Sequence, residues 1–182
     1  MLPLNNQQPK VTNTELLFDG FVKIRNDILT YANGHTQPYF VMETRSDAVI
    51  VLGIFANGDI LLNEEFRHPC NRTLLCLPGG FLEPGEEIIE GGKREFFEET
   101  GYQAEGYEWI GSSYPFPGIC SQQLHFVRAR NIFLAGNTQK EPSEIIQNVR
   151  LTQTALRERI KLSENIDGIL CTCLCFHELR QY

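Results

Sequence analysis

Three glutamates in the middle of the chain stand at the spacing needed to hold a cation. Glu95, Glu98 and Glu99 follow Arg94 in the run Arg94-Glu95-Phe96-Phe97-Glu98-Glu99. Positions i, i+3 and i+4 share one face of a helix, so the spacing puts three carboxylates side by side. Crowded carboxylates repel, and each tends to raise the pKa of its neighbours. A divalent cation removes that cost, and hard carboxylate oxygens select Mg²⁺ or Mn²⁺, which also bind diphosphates. Such a site can clamp a pyrophosphate, activate water and offset the charge that leaves with phosphate. The competing reading is a solvated helix face, the usual meaning of clustered charge. The run before the glutamates is apolar and Gly-rich. Gly91 and Gly92, each costing about 1 kcal/mol against Ala in a helix interior, are unexpected in a helix that only stabilises.

The elements that must position these groups can be read from the flanks. Pro84-Gly85 signals a turn, Glu86-Glu87 put acid in a first helical turn, and Gly101 sits where a left-handed residue ends a helix. A helix over 86–100 follows.

Gly80 to Tyr102 reads GFLEPGEEIIEGGKREFFEETGY. It meets the pattern G-x5-E-x7-R-E-U-x-E-E-x-G-U at every glycine and polar position, and so resembles the Nudix box. The final position is Tyr102 where an aliphatic residue is usual. The resemblance implies hydrolysis of a nucleoside diphosphate linked to another group, with Glu95, Glu98 and Glu99 as metal ligands. The Gly79 backbone carbonyl would be a further ligand. Arg94 and Glu86 would orient the carboxylates, and Glu98 and Arg94 would take part in catalysis.

The flanks resemble the ADP-ribose and ADP-sugar pyrophosphatase branch. Glu65-Phe66-Arg67-His68-Pro69 is similar to the strand-end segment before that branch's box, and Leu77-Pro78-Gly79-Gly80 to its Leu-Pro-Ala-Gly entry. Pro117, 16 residues after Gly101, marks the branch, and Pro117-Gly118 is similar to its loop over the substrate. Phe18-Asp-Gly-Phe21 and Asn33-Gly34 resemble its N-terminal strands, which help build a homodimer. The resemblance runs from about Leu16 to Leu179. It implies that Glu144, or Glu141, is the base. It makes Arg67 a phosphate contact, whose alternative is a surface salt bridge. It makes Phe21 an adenine-stacking residue, whose alternative is core packing. Several positions depart from the branch: Gly79 for Ala, Cys76 for a frequent Glu, Gly91-Gly92 for Ala-Ala, and Ser121-Gln122-Gln123 for acidic residues. These leave the substrate open. Dinucleoside polyphosphates or modified nucleoside triphosphates are alternative substrates, and a nucleotide-sugar sensor is the non-enzyme alternative.

At 182 residues the chain has room for one substantial core with an N-terminal extension. Its net charge of −7 argues against nucleic acid as a partner. No apolar run reaches the length of a membrane span, and the N-terminus lacks an apolar signal region, so a cytoplasmic location is expected. Cys171, Cys173 and Cys175 alternate rather than form C-x2-C pairs, and Cys70, Cys76 and Cys120 stand apart. Buried free thiols are therefore expected rather than a zinc site. The four histidines form no metal pair.

Residues 1–14 are polar and expected to be poorly ordered. Asn33-Gly34 and Asn57-Gly58 predict two hairpins, over Leu16–Glu43 and Ala48–Leu62. Leu124–Arg130 predicts a strand, Thr152–Lys161 an amphipathic helix, and Asp167 a cap for a last helix. The expectation is an α+β fold, a mixed sheet between helices (an α/β/α sandwich), with residues 1–44 as an antiparallel, dimerising extension of a 45–182 hydrolase domain.

Overall fold

The structure, a computed structural model, describes residues 8–139, 145–163 and 165–180. It comprises two compact units, one reaching to Arg45 and taking in Tyr114–Gln122, the other formed by Ser46–Ser113 and the chain from Gln123 onward.

The first unit is an antiparallel sheet in the order β1(Lys10–Asp19), β2(Lys23–Thr30), β3(Thr36–Glu43). Lys10 already pairs with Thr30, so strand begins inside the segment expected to lack order. The first arm of the hairpin expected over Leu16–Glu43 is divided into two strands around Gly20, where an added Cβ would lie 2.6 Å from the Phe18 ring. Asn33-Gly34 does turn the chain: Gly34 has φ 81°, and Tyr31 N–H donates to the His35 carbonyl at 2.9 Å. The segment Tyr114–Gln122 joins this unit through Met42 N–H to the Ile119 carbonyl, 2.7 Å. Tyr39 Oη–H adds a bond to the Gly118 carbonyl at 2.5 Å.

The second unit carries a seven-stranded sheet. Its path is β10(Ile146–Leu151), β5(Ile60–Arg67), β4(Ala48–Ile54), β9(Leu124–Leu134), β8(Tyr102–Ser113). β6(Arg72–Cys76) pairs with β5, and β7(Gly79–Phe81) with β4. β4 and β9 run parallel and the other ladders are antiparallel. The sheet is therefore mixed, as expected.

Alternation along the strands gives the sheet two apolar faces. Val49, Val51, Leu61, Val127 and Ala129 face one way, against Phe96 of α1(Ile88–Thr100). Ile50, Leu52, Ile60, Leu62 and Phe126 face the other, against Leu156 of α2(Gln153–Leu162) and Leu170 and Cys173 of α3(Gly168–Leu179). Phe96 is fully buried, a contribution of roughly 1.5–3 kcal/mol. Thr152 and Asp167 cap α2 and α3 through side-chain oxygens.

Gly91 and Gly92 have a packing explanation. A Cβ on Gly92 would meet Val49, Val51 and Val127 at 3.3–3.5 Å, and one on Gly91 would lie 2.4 Å from Leu82. Their small size brings the helix down onto the sheet. All six cysteines are free, but only Cys76, Cys120 and Cys173 are buried; Cys70, Cys171 and Cys175 are exposed. The expectation of buried thiols is thus met at three positions, because on α3 only Cys173 faces the core. Among the described residues no helix is long and apolar enough to cross a membrane.

Candidate active site

The face of β5 that looks toward α1 changes character along its length. Leu61 belongs to the core; Asn63, Glu65 and Arg67 then follow at every second position. The same alternation that builds the core thus lays a polar strip beside the glutamate-bearing helix.

α1 begins at Ile88 with Glu87 as its N-cap residue, so the expected start at residue 86 is two residues early. Glu86 stays outside because its carboxylate has another task. Arg94 Nε donates to Glu86 Oε1 and Nη2 to Oε2, both at 2.9 Å. The same guanidinium donates from Nη1 to Glu95 Oε1 at 2.7 Å and Glu98 Oε2 at 3.2 Å. Nη2 also reaches the Phe81 carbonyl at 3.0 Å. All five donors of the fork are engaged. Hydrogen bonding from Arg94 holds the Glu86 carboxyl below the usual glutamate range, against an opposing effect of burial. The Glu86 hydrogen bond raises Arg94 well above its ordinary value. The cation that offsets carboxylate crowding within the chain is therefore Arg94.

Glu99 is buried on the sheet side of the helix and accepts from Asn63 Nδ2 at 2.6 Å. Gly101 ends the helix in the left-handed region, φ 73°, with its N–H on the Phe97 carbonyl at 2.7 Å. Gly80 makes room for Glu95: a Cβ there would lie 2.6 Å from the carboxylate. Gly79 opens β7 opposite Ile50. A Cβ on it would press 2.2 Å from the Val49 carbonyl, so no side chain fits and only its backbone can serve a ligand.

Among the described residues no three His, Cys, Asp or Glu side chains converge as a ready-made metal cage. Glu95 and Glu98 lean toward Arg94, and Glu99 toward Asn63. The donor chemistry still fits a divalent cation. Three hard anionic groups lie on one helix, and the glycine at 80 opens a cradle for one of them.

The other candidates lie as follows. Arg67 ends β5 and pairs with Glu65 at 2.6 Å, so the ion pair foreseen as its alternative is present. Cys76, where a glutamate is frequent in the resembling branch, places its thiol 3.6 Å from Glu65; burial pushes that thiol well up, so it stays protonated. Phe21, Pro117 and Gly118 all belong to the first unit. Phe21 is 61% exposed, so it is not a core residue, and its ring lies under the Arg45 guanidinium at 4.7 Å. Pro117 and Gly118 are exposed. Glu141 and Glu144 lie outside the described residues. Sequence reasoning missed Asn63 and Asn148, whose amides join at 2.7 Å. The available signal was an asparagine ending the apolar run Ile60-Leu61-Leu62.

A family model for the NUDIX domain matches residues 44–166. A methanol dehydrogenase activator from Bacillus methanolicus is 30% identical over 176 residues, covering 96% of this chain and 95% of its own. An ADP-ribose pyrophosphatase from Bacillus subtilis is 32% identical over 118 residues, 65% of this chain and 63% of its own. The crystal structure of an ADP compounds hydrolase superposes with a TM-score of 0.85 at 21% identity, over 94% of this chain and 93% of that one. That last likeness speaks for the fold alone. The family match spans most of the chain and contains the helix on which Arg94 gathers its carboxylates; the chain belongs to the Nudix family of hydrolases.

Proposed function

We propose that the protein hydrolyses the pyrophosphate bond of ADP-ribose or a related nucleoside diphosphate sugar, with Mg²⁺ or Mn²⁺ as cofactor. The carrying observation is the Glu95, Glu98, Glu99 set organised by Arg94 and Asn63. The similarity to an ADP-ribose pyrophosphatase supports the substrate class.

Glu95, Glu98, Glu99 and the Gly79 carbonyl would hold the cation. When bound it supplies positive charge to the diphosphate oxygens and to the charge that builds on the leaving phosphate. Arg94 keeps the carboxylates apart and oriented. Arg67 contacts phosphate oxygens once it releases Glu65. Water oxygen bonds to one phosphorus, the bridging P–O bond breaks, and Glu144 takes the proton. The products are a nucleoside monophosphate and a sugar phosphate.

A substrate panel with Mg²⁺ and Mn²⁺, scored for nucleoside monophosphate plus sugar phosphate, tests the reading. Faster release from dinucleoside polyphosphates or modified nucleoside triphosphates would replace it. For the base, Glu144→Gln lowers kcat and leaves KM nearly unchanged, because a base acts in the transition state. An effect on KM alone moves the role to Glu141 or a box glutamate.

A second reading has one observation in its favour. Identity to the methanol dehydrogenase activator extends over nearly the whole chain, the N-terminal unit included. On that reading the protein also acts on a dehydrogenase partner, and an alcohol dehydrogenase assay with and without it decides.

The protein works as a homodimer in the cytoplasm. Val11 and Leu16 on one face of the N-terminal sheet, and Phe18 and Phe40 on the other, are each more than half exposed, and a second copy would cover one of these apolar faces. Six free thiols suit a reducing compartment. Light scattering should return twice the 20.8 kDa chain mass, and deleting residues 1–44 should give a monomer or aggregate. A folded, fully active truncated monomer would refute the dimer.

A further inference from the structure

Asn63 is a costly residue where it stands. It is fully buried, next in sequence to Leu61 and Leu62, which are also buried. A buried amide must find partners for its oxygen and nitrogen or cost about 1–3 kcal/mol. Strand register provides them. On one side β10 places Asn148 directly opposite Asn63, and on the other β6 places Cys76 opposite it. Glu99 comes down from α1. The result is a line of side chains, Asn148 Nδ2 to Asn63 Oδ1 at 2.7 Å, then Asn63 Nδ2 to Glu99 Oε2 at 2.6 Å.

The direction of this line is forced. An ionised carboxylate only accepts, so Asn63 must present its NH₂ to Glu99. Its oxygen then faces Asn148, which must present its own NH₂ in turn. Neither amide can flip without setting acceptor against acceptor. The line therefore fixes how the Glu99 carboxylate is rotated about its last torsion, a torsion that is otherwise broad. Two strands of the sheet, rather than the helix alone, set that rotation. Arg94 orients Glu95 and Glu98 from the helix, but Glu99 accepts from Asn63 on the sheet side.

We propose that Asn63, held by Asn148, is a positioning residue that sets the orientation of Glu99 for cation binding. This rests on the reading above that Glu99 holds the cation. Partners of this kind around metal ligands cost about 10–100-fold in metal affinity or activity when removed.

The test is Mn²⁺ binding, followed by electron paramagnetic resonance of free Mn²⁺ and by calorimetry without substrate. It uses wild type, Asn63→Leu, Glu99→Gln and the double variant. Asn63→Leu should weaken Mn²⁺ binding about 10–100-fold, and the same change made in Glu99→Gln should weaken it no further. kcat should fall even at saturating Mn²⁺, while KM for the nucleotide moves little. If Asn63→Leu does not fold, Asn148→Val removes the outer link and should give a smaller change of the same sign, again absent in Glu99→Gln. Equal losses in both backgrounds would show a purely structural role and overturn the proposal. If Glu99→Gln weakens Mn²⁺ binding but neither asparagine variant does, this proposal fails and the active-site reading stands. If Glu99→Gln itself leaves Mn²⁺ binding unchanged, the reading of Glu99 as a ligand fails first.

Discussion

Replacing Glu99 with glutamine is expected to cut turnover by more than about 100-fold at saturating Mg²⁺, with little change in thermal midpoint. Removing a group that only orients a metal ligand costs about 10–100-fold, and Glu99 is proposed as a ligand itself. Glutamine keeps the size of the side chain and an oxygen that can still accept from Asn63, so the buried contact at 2.6 Å survives. What it removes is the negative charge. Loss of one of three crowded carboxylates relieves repulsion in the cation-free protein, so stability should not fall. The loss of rate should therefore appear without a loss of fold. Turnover near the wild-type value, measured against a Mg²⁺ titration, would take Glu99 out of the site. A large drop in thermal midpoint would instead make it a structural residue.

The parts of this molecule that were legible in sequence are those where local chemistry and tertiary structure agree. The box helix announced itself through Gly101 and the glutamate spacing. The two Asn-Gly turns are formed at Gly34 and Gly58, each with positive φ. Ala48–Leu52 reads as buried because it lies between apolar layers on both faces of the sheet. The missed strands lack such agreement. β8 carries Gly106, Gly111 and two acids; it is strand because β9 pairs along it, with a bulge between Trp109 and Gly111. Gly111 is there because the Phe176 ring lies 2.5 Å from where its Cβ would be, a contact with α3 that no local pattern announces. β10 is short, and only its pairing with β5 defines it. At the site the same division holds. The glutamates sit on one helix and are read from spacing, whereas Asn63 and Asn148 come from two strands joined by register alone. Gly91-Gly92 is legible as unusual, but its cause is tertiary: Gly92 lies close to Val49 and Val127, and Gly91 to Leu82 and the Glu86 carboxylate.

Arg94→Ala should lower stability by about 3 kcal/mol, because it leaves partly buried carboxylates without their cation. Glu86, Glu95 and Glu98 all lose a donor at once, and the Phe81 carbonyl loses its own. Turnover should fall about 10–100-fold as well, the cost of an orienting partner. Two dependences separate this from general damage. Added Mg²⁺ should raise the thermal midpoint of Arg94→Ala by more than that of wild type, since a bound cation offsets the repulsion Arg94 no longer offsets. The pH dependence has a definite sign. The Glu86 carboxyl is held below its ordinary range by Arg94, so the ion pair contributes fully above the ordinary glutamate pKa. That contribution is lost as pH falls through the depressed folded-state value. The stability gap between wild type and variant should therefore be wide at neutral pH and close under strongly acid conditions. Calorimetric midpoints of both proteins across that range, with and without Mg²⁺, measure it. A gap that is constant with pH and indifferent to Mg²⁺ would mean that Arg94 contributes packing rather than charge, and the carboxylates would then need another source of order.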